Sequence, residues 1–539
     1  MSRMPAVLGQ GRVRRIAAVA GLALGQAIAA GGAAFATRDA FAALRDGAPT
    51  PWAALAAVAG AGLVIAGLRV AERATAERVG CDYAAELRER LFLRGMRMPV
   101  GALADRTTGG LSLRFVGDLA AVRGWVSKGL ARLISAGVAI PVTFLALALL
   151  HPLLAAAAFV PSAVAVALIA VAGGPLERAH ARLRRRRAGL AASLTERLSQ
   201  GAALRMAGRL TTERERLRTR STEIAEAAVA RARLSAAVRA VPDAAAGLAA
   251  ALVLAAAAHG GASAAEAAGA LAALALLGRP LRQLGEVHDR RQAWRVARMQ
   301  VERALAAPAL PSRDGDRSAD RDGAPALRLQ GLCLAGRTPL DAELPAGRIA
   351  WLVGPPGSGK SALLAVCAGL ERPVEGRVEV LGNAPWRLPT GAAVHVGPAA
   401  PLLRGSLRRN LALGVGRSVD DTKIAAAVSR AGLDGLSRRL GGLSGRVGEG
   451  GRGLSSTERG RVMLVRVMLA EPHLCIVDAD EARLDAAALD LLLEILSETG
   501  SAALIASDRP AVRAEAHLVW RLDEGGAPVA AFRPPPRAA

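Results

Sequence analysis

Residues 354–361 read GPPGSGKS, directly after the apolar run IAWLV and directly before the helix-forming stretch SALLAVCAGL. The spacing is that of a phosphate cradle, G-x-x-x-x-G-K-[ST], set between a strand and a helix. Gly354, Gly357 and Gly359 let the backbone curl until successive N–H groups surround an anion. Lys360 adds a point charge for the terminal phosphates, and the Ser361 hydroxyl is suited to Mg²⁺. The amides of Ser358 and Ala362 complete the candidate nucleotide-binding set, at a helix N-terminus whose dipole favours negative charge. A chance glycine-rich turn is the competing reading, and it explains neither the lysine and serine nor the strand and helix on either side. Farther along, LCIVD ends an apolar run on Asp478. A carboxylate there is the second expected Mg²⁺ contact, against the alternative of an ordinary surface aspartate.

The elements that must hold these groups follow from the surrounding pattern. Short apolar runs alternate with helical periodicity across residues 326–525, which predicts an α/β domain with a substantially parallel sheet. Residues 311–325, PSRDGDRSADRDGAP, lack periodicity and read as linker. The expected division is therefore 1–305, a linker at 306–325, a nucleotide-binding domain at 326–525 and a tail at 526–539.

The N-terminal portion has a different grammar. Apolar stretches fall at residues 16–36, 52–70, 130–150, 152–173, 240–258 and 262–278, giving an expected six-helix, all-α membrane domain. The last pair is the weakest, and the final stretch is short and carries Glu266. Gln26, Arg239 and Asp243 also lie in or near spans, and ionisable groups there are functional candidates by default, with placement at the interface an equal alternative. Short turns follow the first, third and fifth stretches, while long arginine-rich helical connectors, 71–129 and 174–239, follow the second and fourth. Leu87, Leu91, Leu93 and Met96 recur along the first connector at helical spacing.

Charge and cysteine usage narrow the classes further. The chain of 539 residues carries 70 Lys and Arg against 46 Asp and Glu, a formal +24, and is 52% hydrophobic. Its arginines cluster beside apolar segments, as in RLRRRR at 182–187, which indicates loops held on the cytoplasmic side against anionic lipid rather than a nucleic-acid surface. The connectors and both termini are thereby expected in the cytoplasm, with the chain in the plasma or inner membrane. Cys81, Cys333, Cys367 and Cys475 form no CxxC pair and read as reduced core thiols. The first apolar run is too long for a signal-peptide core and reads as a retained helix.

From about residue 10 to about residue 525 the chain resembles an ATP-binding-cassette exporter half-transporter. Residues 105–123 (DRTTGGLSLRFVGDLAAVR) look like the family's first intracellular connector. Residues 405–411 (GSLRRNL) and 447–469 look like the segments around the Q-loop and signature helix, and 477–485 (VDADEARLD) like the Walker B to D-loop passage. The resemblance implies a P-loop NTPase of the ABC type using ATP and Mg. It also implies two half-transporters whose nucleotide domains meet head to tail, each ATP lying between one phosphate loop and the other chain's signature.

Several positions depart from the family pattern. Ala479 stands where the catalytic glutamate follows Asp478, in a register supported by Asp485 seven residues after Asp478. Asp508 falls at the switch histidine and Pro398 at the Q-loop glutamine, and Ala335 falls near the adenine-stacking aromatic. The signature LSGGQ has become LSSTE, which keeps Ser455 but puts Ser456 and Thr457 in place of glycines. Losing one such group costs on the order of a hundredfold in rate. The expectation is a degenerate site that binds ATP and turns it over poorly, in a heterodimer with a competent half-transporter exporting an unknown substrate. A nucleotide-responsive membrane scaffold or regulator is the alternative, and an active homodimer ranks last.

Overall fold

The computed structural model describes residues 4–9, 11–104, 117–311, 323–334, 339–397, 401–415, 418–479, 484–522 and 528–529. The chain separates into two compact units. The first comprises Met1–Leu93 with Thr108–Ala306, and the second Arg94–Thr107 with Ala307–Ala539.

Among the described residues the first unit has six helices long and apolar enough to cross a membrane: Arg12–Arg45, Trp52–Met96, Leu119–Leu150, Pro152–Leu198, Leu210–His259 and Ala264–Ala306. Each contains one of the apolar stretches, and the turns between paired spans are short. Among the described residues, much of each connector continues a neighbouring span. The fifth helix has 50 residues, about 75 Å at 1.5 Å per residue, over twice the thickness of a hydrocarbon core.

Alanine-rich helices bury little area per residue but let backbones approach closely. A Cβ on Gly269 would lie 2.9 Å from Ala34 O, and one on Gly31 would lie 3.3 Å from Ala146 Cβ. Ala34, Leu147, Leu154, Ala158, Ala249, Val253, Ala270 and Leu277 fill the centre of this bundle. A second cluster, from Val79 through Leu91 to Val301 and Leu305, packs the extended helix portions around Trp125 stacked on Trp294, centroids 5.3 Å apart.

Three details correct the sequence reading. Leu87 and Leu91 are buried, but Leu93 and Met96 project outward, so the apolar stripe is narrower than the four positions suggested. Glu266 starts its helix: Ser263 N donates to its carboxylate at 2.7 Å and its own N–H donates to Ser263 Oγ at 3.1 Å. This reciprocal cap puts the charge in the first turn of the helix rather than mid-span. Cys367 and Cys475 are buried thiols, whereas Cys81 is exposed. Asp243 accepts from Arg282 at 2.7 Å, and Arg239 bonds to Ser235 of its own helix.

The second unit is α/β. Strands β1 (Leu327–Cys333), β2 (Leu340–Leu344) and β4 (Glu375–Val380) form an antiparallel sheet in the order β2-β1-β4. A second sheet contains β3 (Ile349–Val353), β5 (Ala393–Val396), β8 (Leu474–Asp478), β9 (Ala502–Ala506), β10 (Leu518–Leu522) and β11 (Pro528–Val529). Its order is β11-β10-β3-β9-β8-β5, parallel except for the β10–β11 pair. The short strands β6 (Gly405–Ser406) and β7 (Arg446–Val447) pair separately.

The central strands are buried on both faces, which is why they read as continuous apolar runs. Leu474, Ile476 and Leu504 face the helix Lys360–Cys367, whereas Cys475, Val477 and Ile505 face the helices Ser456–Ala470 and Ala486–Thr499. The first connector contributes to this unit as well. Val100 N donates to Leu370 O at 3.0 Å, Gly101 N to Glu371 Oε2 at 2.9 Å, and Leu310 N to Arg97 O at 2.6 Å. A carboxylate therefore meets the first turn of the short helix Val100–Ala104, where free N–H groups favour it.

Candidate functional site

The phosphate loop leaves the C-terminal end of β3 and enters the helix Lys360–Cys367. Gly357 and Gly359 adopt φ of 79° and 85°, the left-handed region that side chains avoid. Gly354 matters for closeness rather than handedness: a Cβ there would come within 2.5 Å of Leu522 O and 2.6 Å of Ser358 Oγ. Ser358 is 3% exposed, and its hydroxyl oxygen is buried without a hydrogen-bond partner among the described residues. Lys360 Nζ donates to Gly354 O at 2.5 Å and to Pro355 O at 3.3 Å, which holds the ammonium against the loop. Ser361 and Ala362 are exposed on the first helical turn.

Pairing register places the other candidates along the same sheet edge. Leu352 pairs with Ala506, and Ala506 with Asp478, so the ends of β3, β9 and β8 are level. Ligands of open parallel sheets bind beyond such carboxyl ends. Asp478 is half-buried there. Beside it, burial depresses the basicity of His395, an effect the Asp478 charge opposes. Ala479 N donates to Ala506 O at 3.0 Å, and its methyl packs partly buried against the core. Asp508 is exposed just past β9, where Ser507 O accepts from Trp351 Nε1 at 2.6 Å.

Glycines in left-handed φ, a buried hydroxyl unpartnered among the described residues and a helix N-terminus with no side-chain cap together fit a polyphosphate. Ser361 and Asp478 have the oxygen chemistry for Mg²⁺. Among the described residues no cluster of three or more His, Cys, Asp or Glu suits a metal ion, so a cation there would depend on phosphate oxygens as well.

Ser455 caps the helix Ser456–Ala470: its Oγ accepts from Glu458 N at 3.1 Å, and Ser455 N donates to Glu458 Oε2 at 2.7 Å. Glu458 is also bound by Arg439 at 3.0 Å. That hydrogen bond and the bond from Ser455 hold its carboxyl below the usual range.

Residues 338–482 match the family described as ABC transporter, and residues 24–276 match the ABC transporter transmembrane region. The lipoprotein-releasing system ATP-binding protein LolD of Ruegeria pomeroyi is 30% identical over 230 residues, which cover 37% of this chain and 96% of that protein. The chain belongs to the ABC transporter family. The mycobactin import ATP-binding/permease protein IrtB of Mycolicibacterium smegmatis is 33% identical over 216 residues, 38% of this chain, and the match spans only 37% of that relative's length. A bacterial Atm1-family ABC exporter solved with ATP bound has the same fold, with a TM-score of 0.80 over 96% of this chain and 95% of that one, at 19% identity.

As an ABC transporter chain, it brings the phosphate loop and Asp478 to one sheet edge, with Ala479 and Asp508 beside them. Ser455 lies on a different helix. Pro398, Ala335 and residues 105–116 lie outside the described residues. Sequence reasoning missed Glu458, although S-x-x-E before an apolar run is a capping-box signature. It also missed Arg466, which is 6% exposed and donates to Asn410 O and Pro401 O, each at 2.8 Å. With carbonyls but no carboxylate as partners, burial lowers its pKa to about 10. An arginine inside VMLVRVML carries no sequence signal for this role.

Proposed function

We propose that the chain is one half of a membrane exporter whose own phosphate loop binds Mg-ATP as a closing contact and hydrolyses it poorly. The observation that carries this reading is Ala479. At the place where a carboxylate would orient attacking water stands a methyl turned against the core, its backbone tied to β9. Asp508 adds a negative group on the same edge, unfavourable to charge developing on a phosphate.

When bound, the triphosphate supplies the negative charge that draws the two nucleotide units together. The chain's residues then have defined tasks. The amides of residues 359–362 would hold phosphate oxygens, Lys360 would exchange loop carbonyls for phosphate, and Ser361 and Asp478 would hold Mg²⁺. LSSTE is offered to a partner's nucleotide, yet Ser455 N is already engaged by Glu458, whose carboxylate disfavours an anion at that helix start. This supports a heterodimer in which the partner supplies the glutamate and switch histidine, over a homodimer with two poor sites. The arginine-rich connectors support a plasma or inner membrane location, with termini and nucleotide unit cytoplasmic.

The test is a purified heterodimer. Transport should collapse when the partner's catalytic glutamate is neutralised, and most of it should survive Lys360→Ala in this chain. The reverse pattern, or brisk ATP hydrolysis by this chain alone, refutes the division of labour.

A further inference from the structure

A small cavity of about 60 Å³ opens within the membrane unit between the helices Arg12–Arg45, Trp52–Met96, Leu119–Leu150 and Ala264–Ala306, and its polar lining includes Gln26, Arg69, Glu72, Ser135, Arg279 and Gln283. The carboxylate is already occupied by neutral donors: Gln26 Nε2 donates to Oε2 at 2.6 Å and Ser135 Oγ to Oε1 at 2.5 Å. The two guanidiniums are not. Arg69 Nε is buried without a hydrogen-bond partner, and among the described residues neither Arg69 nor Arg279 forms a hydrogen bond or ion pair. The lining therefore holds an excess of one positive charge, at the end of the second and sixth spans.

Arg69 is half-buried and Arg279 exposed, and guanidiniums at the end of a span favour a counter-charge. Glu72 is spent on Gln26 and Ser135. The planar fork of a guanidinium matches two oxygens of a carboxylate or phosphate, and Gln283 adds an amide donor for an oxyanion. We infer that this cavity binds the anionic group of a ligand, a phosphate or carboxylate, whether carried by a lipid headgroup or by a soluble molecule.

The full chain would be reconstituted in phosphatidylcholine nanodiscs with a minor fraction of phosphatidylglycerol, and retained phosphatidylglycerol counted by native mass spectrometry. In parallel, binding of inorganic phosphate would be followed in discs of phosphatidylcholine alone. Arg69→Gln and Arg279→Gln should each weaken anion binding about tenfold, the scale of one charge-assisted hydrogen bond. Arg69→Lys should keep most of it. Glu72→Gln should strengthen binding, a gain that misfolding cannot mimic. An effect confined to the lipid arm assigns a headgroup, and an effect in the phosphate arm assigns a soluble anion. If the arginine variants leave both arms unchanged, or if Glu72→Gln weakens binding while they strengthen it, the inference fails.

Discussion

At the scale of single residues, chemistry is concentrated where a few side chains have no substitute. Lys360 is a cation held against the phosphate loop by that loop's own carbonyls. Lys360→Ala should therefore weaken binding of labelled ATP to the full chain by about tenfold or more, in keeping with about 1.5–3 kcal/mol for a charged hydrogen bond. Ala479 makes the complementary case. Ala479→Glu should raise ATP turnover only modestly, because Asp508 and LSSTE remain, and a steady-state ATPase assay would read it. A full restoration of activity would mean that the missing carboxylate was the sole defect.

Elements set the second scale, and here the helix Ser456–Ala470 is informative both in its first turn and deeper along its length. Glu458 closes the capping box and binds Arg439. Its folded-state pKa lies below the ordinary carboxylate value. The stabilisation it provides is thus present in full above the unfolded value near 4.5 and is lost as pH falls through the lower folded one. Glu458→Ala should cost about 1 kcal/mol at neutral pH and flatten the acid limb of a thermal-denaturation series. Deeper in the same helix, Arg466 ties the carbonyls of Pro401 and Asn410 to the core. Arg466→Met should destabilise the second unit by about 2 kcal/mol or more, since the buried Asn410 carbonyl and the more exposed Pro401 carbonyl both lose their donor. Denaturant melts of the full chain followed by tryptophan fluorescence would measure it, and no loss would mean that water replaces the guanidinium.

The whole molecule joins two solvents' rules in one chain. Its membrane unit packs small residues to bring helices close, whereas its α/β unit packs branched side chains on both faces of a sheet. The segment Arg94–Thr107 belongs with the second unit through Leu370 and Glu371. Replacing Glu371 by alanine should leave ATP binding intact and reduce any nucleotide-dependent transport several-fold, because the carboxylate at the start of Val100–Ala104 is lost. Equal transport by the variant and the parent would exclude that contact from coupling.

The spans, the parallel strands and the phosphate loop were legible because each is written locally. Twenty apolar residues, a doubly buried strand, or glycines before a lysine and serine encode their structure within one window. The unbroken runs of helix beyond the bilayer were only half legible: the connectors read as helical, but nothing local said that they continue the spans. Glu266 was misleading in hydropathy, since a cap and a mid-span charge have similar composition and only backbone geometry separates them. What tertiary structure alone decided is non-local. The meeting of Asp478, Ala506 and Leu352 on one edge depends on strand order. The burial of Arg466 depends on a loop dozens of residues away, and the convergence of Arg69, Glu72 and Arg279 depends on how helices distant in the chain pack. Residue type sets what a group is able to do, but desolvation and pairing are properties of neighbours, and sequence distance does not contain them.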